Sequence, residues 1–201
     1  VAEDPSEMQL KILDSAISLL EEGGEQAIRL RSVAKMVGIA QPSLYHYFED
    51  RESLITAAHA RRLKVNLASV IDPFLSAVRA CTSRAEFLTV VLGVYKYSKH
   101  SGRKAVREIR AELIGASIKR DLLRESVVKE MSDSLAPTIE AVNFAKERGW
   151  VRADLDSKAF AIFNLSLISN AIYAEIHDDE TMTEQWWNFA EEAISAIVMR
   201  D

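Results

Sequence analysis

The sequence predicts an all-α protein, a small three-helix unit at the amino terminus followed by a larger helical body, with about nine helices in total. Three observations predict it. Apolar residues recur at three- and four-residue steps along almost every segment, and no segment shows the strict alternation of a strand. Breakers are scarce, with 7 Gly and 4 Pro in 201 residues, too few for a turn-rich β architecture. Internal repeats and low-complexity tracts are absent.

The elements follow in order. Leu10, Leu13, Ala16, Ile17 and Leu20 form one stripe. In Pro5-Ser-Glu-Met-Gln9, Ser6 and Gln9 stand at capping-box spacing, and Gly23-Gly24 ends the helix. A short helix spans about Leu30 to Val37 and stops at Gly38. Pro42 suits the first position of the next, where its missing N–H costs nothing, and that helix runs to about Phe48. Asp50 caps a long helix that starts at Arg51 and continues to about Ile71, where Asp72-Pro73 breaks or restarts it. Ser83 and Glu86 form a second capping box, opening a helix with Phe87, Val91 and Tyr95 on one face. Ser101-Gly102 separates this from a helix over about Arg103 to Ile118. A long helix over about Arg120 to Arg148 bends at Pro137 and stops at Gly149. Two final helices cover about Asp156 to His177 and Thr183 to Met199.

Bulk properties remove several functional classes. The single cysteine, Cys81, cannot form an internal disulfide, which fits a reducing cytoplasm, and a small buried thiol is the favoured reading over a redox sensor. The start carries no signal-peptide pattern. The longest uncharged stretch, Ala159 to Ala174, is too short to span a bilayer and contains Asn164, Ser166, Ser169 and Asn170, so no membrane partner is expected. His46, His59, His100 and His177 show no metal-ligand pairing, and there is neither a Gly-rich phosphate loop nor a Gly-x-Ser-x-Gly elbow. Neither a catalytic site, a metal nor a cofactor is therefore expected.

The net charge of −5 argues superficially against a nucleic-acid partner, but binding depends on the local field. From Gln26 to Phe48 there is no acidic residue, while Arg29, Arg31 and Lys35 are present. Within Leu30 to Phe48 the spacing is that of a helix-turn-helix. Ala34 supplies the small residue where two helices cross, and Gly38, four residues on, permits the sharp turn. Val33, Val37, Ile39, Leu44 and Tyr47 fall where the inner faces must be apolar. Gln41, Ser43, Tyr45 and His46 remain on a second helix able to lie in a major groove, where Gln pairs with adenine and hydroxyls reach phosphates or bases.

The run Val37-Gly-Ile-Ala-Gln-Pro-Ser-Leu-Tyr-His-Tyr-Phe-Glu-Asp-Arg-Glu-Ser-Leu54 resembles the signature of the tetracycline-repressor (TetR) family, with the likeness strong over about Ile12 to Leu54. Gly149-Trp-Val-Arg-Ala-Asp-Leu-Asp156 resembles the family's lead-in to its penultimate helix. The resemblance implies that Gln41, Pro42, Ser43, Tyr45 and Tyr47 lie at the DNA surface and that Arg51 contacts phosphate. It also implies that Arg29 and Arg31 approach the backbone; His46 stands where the family often has an aromatic residue, and packing or a phosphate contact is favoured over pH sensing. Glu49, Asp50 and Glu52 depart from a basic surface, and acids at a helix start are favourable as caps.

The division expected is a DNA-binding unit over 1–50 and an effector-binding and dimerisation unit over 51–201. The apolar residues around all sides of Ala159–Ala174, with the stripe Trp186, Phe189, Ala190, Ala193, Ile194 and Ile197, predict a homodimer through the last two helices, about 156–177 and 183–199. Tyr95, Arg110, Asn143, Phe163, Asn170 and Tyr173 are the candidates for an effector pocket of mixed apolar and sparse polar character. By resemblance the chain is a repressor, released from a palindromic double-stranded operator by an unidentified small molecule. The alternative is a helical ligand-binding or interaction protein of the same fold that does not bind DNA.

Overall fold

The computed structural model describes the backbone of residues 6–199 and the side chains of all of these except 66–72 and 101; Pro5, at the start of the expected cap, lies outside them. Ten α-helices are present among the described residues, and no strand. They are α1 (Glu7–Gly23), α2 (Leu30–Val37), α3 (Gln41–Leu44), α4 (Arg51–Ala80), α5 (Arg84–Lys99), α6 (Lys104–Ser117), α7 (Asp121–Glu147), α8 (Ser157–Asn170), α9 (Ile172–Glu175) and α10 (Glu180–Met199). Two 3₁₀ turns, Glu25–Ala27 and Ser101–Arg103, join α1 to α2 and α5 to α6.

Caps set most boundaries. Ser6 and Gln9 exchange both bonds of a capping box, at 3.2 and 3.3 Å. Asp50 forms a second box with Ser53 at the start of α4. At α5 the Ser83 hydroxyl accepts from the Glu86 N–H, but the Glu86 carboxylate turns back to Thr82, so only half of that expected box forms. Asp179, unforeseen as a cap, accepts from the N–H groups of Thr181 and Met182 and starts α10 three residues earlier than expected.

One expected break is absent, one long helix runs through its proline as expected, and one unexpected division is present. α4 does not end near Ile71 but runs through Pro73 to Ala80. An internal proline forfeits one backbone hydrogen bond and bends a helix, and packing of α4 along α7 retains the remaining turns. α7 likewise continues through Pro137, whose ring is buried. The helix expected over 156–177 instead divides at Ala171 into α8 and α9, and the tightened turn sets Glu175 against Arg107 of α6. α10 turns Trp187, Ala190, Ile194 and Val198 inward, leaving Trp186 and Ile197 half-buried and Phe189 exposed.

Three apolar clusters organise these helices. One joins α1, α2 and α3 to Leu54, Ile55 and Ala58 of α4. The division at residue 50 thus follows the motifs but cuts this core, because the first turns of α4 belong to the head. The largest cluster lies in the body, around Phe87, Tyr95, Phe160, Trp187 and Ile194. Between them, Leu63, Ile109, Leu113, Leu123 and Val127 bring α4, α6 and α7 together. Cys81 is buried and its thiol donates to the Ala77 carbonyl at 3.3 Å; burial, with the Glu86 charge added, pushes the thiol up.

Candidate nucleic-acid interface and effector cavity

The head is assembled around the crossing at Ala34, which is buried. Its carbonyl accepts from the N–H groups of both Gly38 and Ile39 at 3.0 Å, closing α2. Gly38 has φ +80 and open space where a Cβ would lie, so the backbone angle, not crowding, demands glycine. Ala40 caps α3, which puts Pro42 at the second rather than the first helical position. α3 then tightens. Tyr45, His46 and Tyr47 donate to carbonyls three residues back, so the α-helical part ends at Leu44 instead of Phe48. Val33 and Leu44 are buried, and Val37, Ile39 and Tyr47 are half-buried against the same cluster.

The opposite face carries Arg29, Arg31, Lys35, Gln41, Pro42, Tyr45 and His46, all exposed, with Ser43 and Tyr47 half-buried. Tyr45 is 52% exposed, which is high for so large a ring. Arg29, Arg31 and Lys35 have no ion pair with any described residue. Of the nearby acids, Asp50 serves as a cap and Glu52 pairs with Arg120, while Glu49 is exposed. The surface is thus a cationic, hydroxyl-rich ridge on a short helix. Arg51 is exposed as well, and its guanidinium donates to the carbonyls of Ile28, at 2.7 Å, and Glu25. These two bonds tie the 3₁₀ turn to α4 and leave donors of the guanidinium over.

A polar latch that the sequence reading missed ties this head to the body. Arg120, just before α7, donates to Glu25 at 2.6 Å and to Glu52 at 2.8 Å, and Glu25 also meets buried His59 at 2.8 Å. Burial pushes the Glu25 carboxyl up, but hydrogen bonds and charge from Arg120 and His59 outweigh this and hold it below its ordinary value. Residues far apart in a loop, a 3₁₀ turn and a helix leave no periodic signal that could have revealed the cluster.

In the body a cavity of about 130 Å³ lies among α4–α8 and α10, walled by Phe87, Val91, Val142, Leu155 and Phe160 among others. Of the six pocket candidates, Arg110 lines it. Tyr95 is buried behind the wall, donating its hydroxyl to Asn164 at 2.6 Å, and Asn164 does line the cavity. Burial raises the Tyr95 phenol, leaving it a neutral donor. Asn143 accepts from Ser157 on the outer surface, and Phe163, Asn170 and Tyr173 face outward. Arg107, three residues before Arg110 on α6, and Arg103, four residues earlier still in the preceding 3₁₀ turn, also line the cavity, a spacing legible in the sequence. Arg107 is buried, paired with Glu175 through two contacts, donating to the Ser98 carbonyl at 2.6 Å and lying over the Trp187 ring. No three His, Cys, Asp or Glu residues gather where they could hold a metal ion among the described residues. No described helix is long and apolar enough to cross a membrane.

The structure thus sets a helix-turn-helix head with exposed cations on a helical body that contains a cavity. The family model described as bacterial regulatory proteins, tetR family, matches residues 12–58. The transcriptional repressor KstR of Rhodococcus jostii is 34% identical over 58 residues, which is 29% of this chain and 27% of that protein. The chain therefore matches little more than a quarter of the length of that curated relative. Two solved structures extend the likeness of fold. The transcriptional regulator FadR of Bacillus subtilis, in complex with stearoyl-CoA, has a TM-score of 0.63 at 14% identity, covering 96% of this chain and 99% of its own. A transcriptional regulator of Saccharomonospora viridis, in complex with choline, has a TM-score of 0.66 at 15% identity, covering 94% and 96%.

Proposed function

We propose that this chain is a sequence-specific DNA-binding transcription regulator that works as a homodimer. In this reading it represses from a palindromic operator and is released by a small molecule held in the body. The observation that carries the reading is the ridge of Gln41, Ser43, Tyr45 and His46, flanked by Arg29, Arg31 and Lys35, with no acid between Gln26 and Phe48. A first turn of this kind suits a major groove, with Gln41 and Tyr45 toward base edges and the cations on phosphates. Arg51, exposed at the start of α4 with donors left over beyond its bonds to Glu25 and Ile28, contacts a phosphate in this reading.

Dimerisation is supported by the face that α8, α9 and α10 leave open, where Ile162, Phe163, Tyr173, Ile176 and Phe189 are all exposed. Two heads held by such a pair read half-sites one helical turn, or a multiple, apart. The effector shifts that spacing by way of α6, α7 and the Arg120 latch to the head. KstR carries the name of a repressor, and the two structures described above hold small molecules, which accords with repression relieved by an effector.

The test is selection of bound fragments from random-sequence DNA by the folded protein at moderate salt. A palindrome is expected. Tyr45→Ala should weaken binding to it by about tenfold or more while melting temperature and mass stay unchanged, since one good base contact is worth about 1–3 kcal/mol. No enrichment from a folded dimer would favour a ligand-binding protein of this fold that does not read DNA.

A further inference from the structure

We propose that the body cavity takes an organic anion, a carboxylic acid with a compact apolar body whose head group pairs with Arg110. This rests on the reading of the body as an effector-binding unit and adds the chemical class of the effector. The two solved relatives hold molecules as different as stearoyl-CoA and choline, so the fold does not dictate the class and the wall of this cavity must.

Among the described residues the wall contains three arginines, Arg103, Arg107 and Arg110, and no aspartate or glutamate. Glu175 answers Arg107. Arg110 is 5% exposed and makes one hydrogen bond, from one terminal nitrogen to the Ser169 hydroxyl at 2.8 Å. A guanidinium carries five N–H donors and its charge, and a hydroxyl neutralises none of it. Burial, with repulsion from Arg103 and Arg107 added, lowers Arg110 to about 10, still cationic at neutral pH. A buried cation this poorly served is costly to a fold unless something else answers it. Most of the rest of the wall is apolar, with Phe87, Val91, Val142 and Phe160 facing a space of about 130 Å³ and Ser98, Ser134, Thr138 and Asn164 the polar members. That is close to the ~150 Å³ at which an apolar protein cavity takes up benzene. A fork of donors at one side and a benzene-sized apolar space at the other describe an aryl or short-chain carboxylate, held by a charge-assisted bidentate bond. A quaternary ammonium or a protonated amine would meet the like charge of Arg110, which no carboxylate among the described residues answers.

The experiment titrates the whole protein, without DNA, with phenylacetate, octanoate, 1-octanol and octylamine, reading calorimetric heat and melting temperature. At least one of the two carboxylates should bind and raise the melting temperature, with octanol at least tenfold weaker and octylamine without effect. Arg110→Gln should lose that preference for the carboxylate, while its ligand-free melting temperature stays the same or rises; Arg110→Lys should keep part of the preference. Equal binding of octanol and octanoate, or binding of octylamine, would overturn the anion and leave an effector cavity of another class. Absence of binding by both carboxylates would overturn the proposal, and the wild-type series decides this even if Arg110→Gln does not fold. Because no DNA is present, these outcomes stand apart from the operator selection, whose failure would instead remove the regulatory reading.

Discussion

Single side chains in this protein show how much of a residue's setting comes from distant partners. Arg51 has the charge of a phosphate ligand and the position the family resemblance favours, and two of its five donors also hold the carbonyls of Glu25 and Ile28. Glu52 looks like an electrostatic fault beside a DNA surface, yet it holds Arg120. Both facts depend on partners dozens of residues away, which no local pattern carries. Glu25 gives a test at this scale. Its carboxyl lies below its ordinary value in the folded protein, so it contributes stability that is fully present above the unfolded value near 4.3 and is lost as pH falls through the depressed folded value. Glu25→Gln should therefore lower stability at pH 7 by about 1 kcal/mol, the net worth of a partly exposed, charge-assisted pair. In a chain of this size that is roughly 2–4 °C of melting temperature. Thermal melts of both proteins from pH 7 down to pH 3 should converge at the acid end. A constant gap across that range would show that the carboxyl's charge contributes nothing.

At the scale of elements, the head was legible and the junction was not. Ser6, Gly38 and Asp50 are local signals, each acting within four residues of itself, and each sets the boundary its chemistry predicts. Pro73 and Pro137 are local signals as well, but the packing of α4 along α7 overrides them, and the long helices run through. The pocket was least legible because a cavity is defined by helices that meet only in three dimensions. Arg110 was found, while Asn143, Phe163, Asn170 and Tyr173 lie on other faces. The element whose loss tests the proposed coupling is the latch before α7. Arg120→Ala cuts the bonds to Glu25 and Glu52 without touching the ridge or the cavity wall. Affinity for the selected palindrome should stay within a few-fold of wild type, and carboxylate binding should be unchanged. The release of DNA by the carboxylate, a coupling of about 5–150-fold in such systems, should shrink toward unity. Fluorescence anisotropy of labelled operator with and without ligand reads all three quantities, and undiminished release would place the coupling elsewhere.

For the whole molecule, the decisive feature is the apolar face that one chain leaves uncovered. Tyr173 is 67% and Phe189 64% exposed, with Ile162, Phe163 and Ile176 in the same state along α8 and α9. Apolar residues surround the 159–174 stretch because two jobs are divided between its faces. Phe160, Ala161 and Leu167 close the chain's own core, and Ile162 and Phe163 are exposed, free to meet a second surface in the proposed dimer. A two-fold pairing of identical faces covers both at once, since each patch is its own complement. Burying about 1,200–2,000 Å² in total would suffice for a stable pair. In such a pairing, Phe189→Glu with Tyr173→Glu sets carboxylates against apolar side chains, which is costly without a cation to answer them. The double variant should sediment at half the wild-type mass and keep its carboxylate binding, because neither position lines the cavity. Its affinity for the palindrome should fall by well over tenfold, since two heads no longer act as one ligand with a high effective concentration at the second half-site. A variant that remains dimeric would move the interface to another face. A monomer that still binds the palindrome at full strength would separate dimerisation from operator recognition.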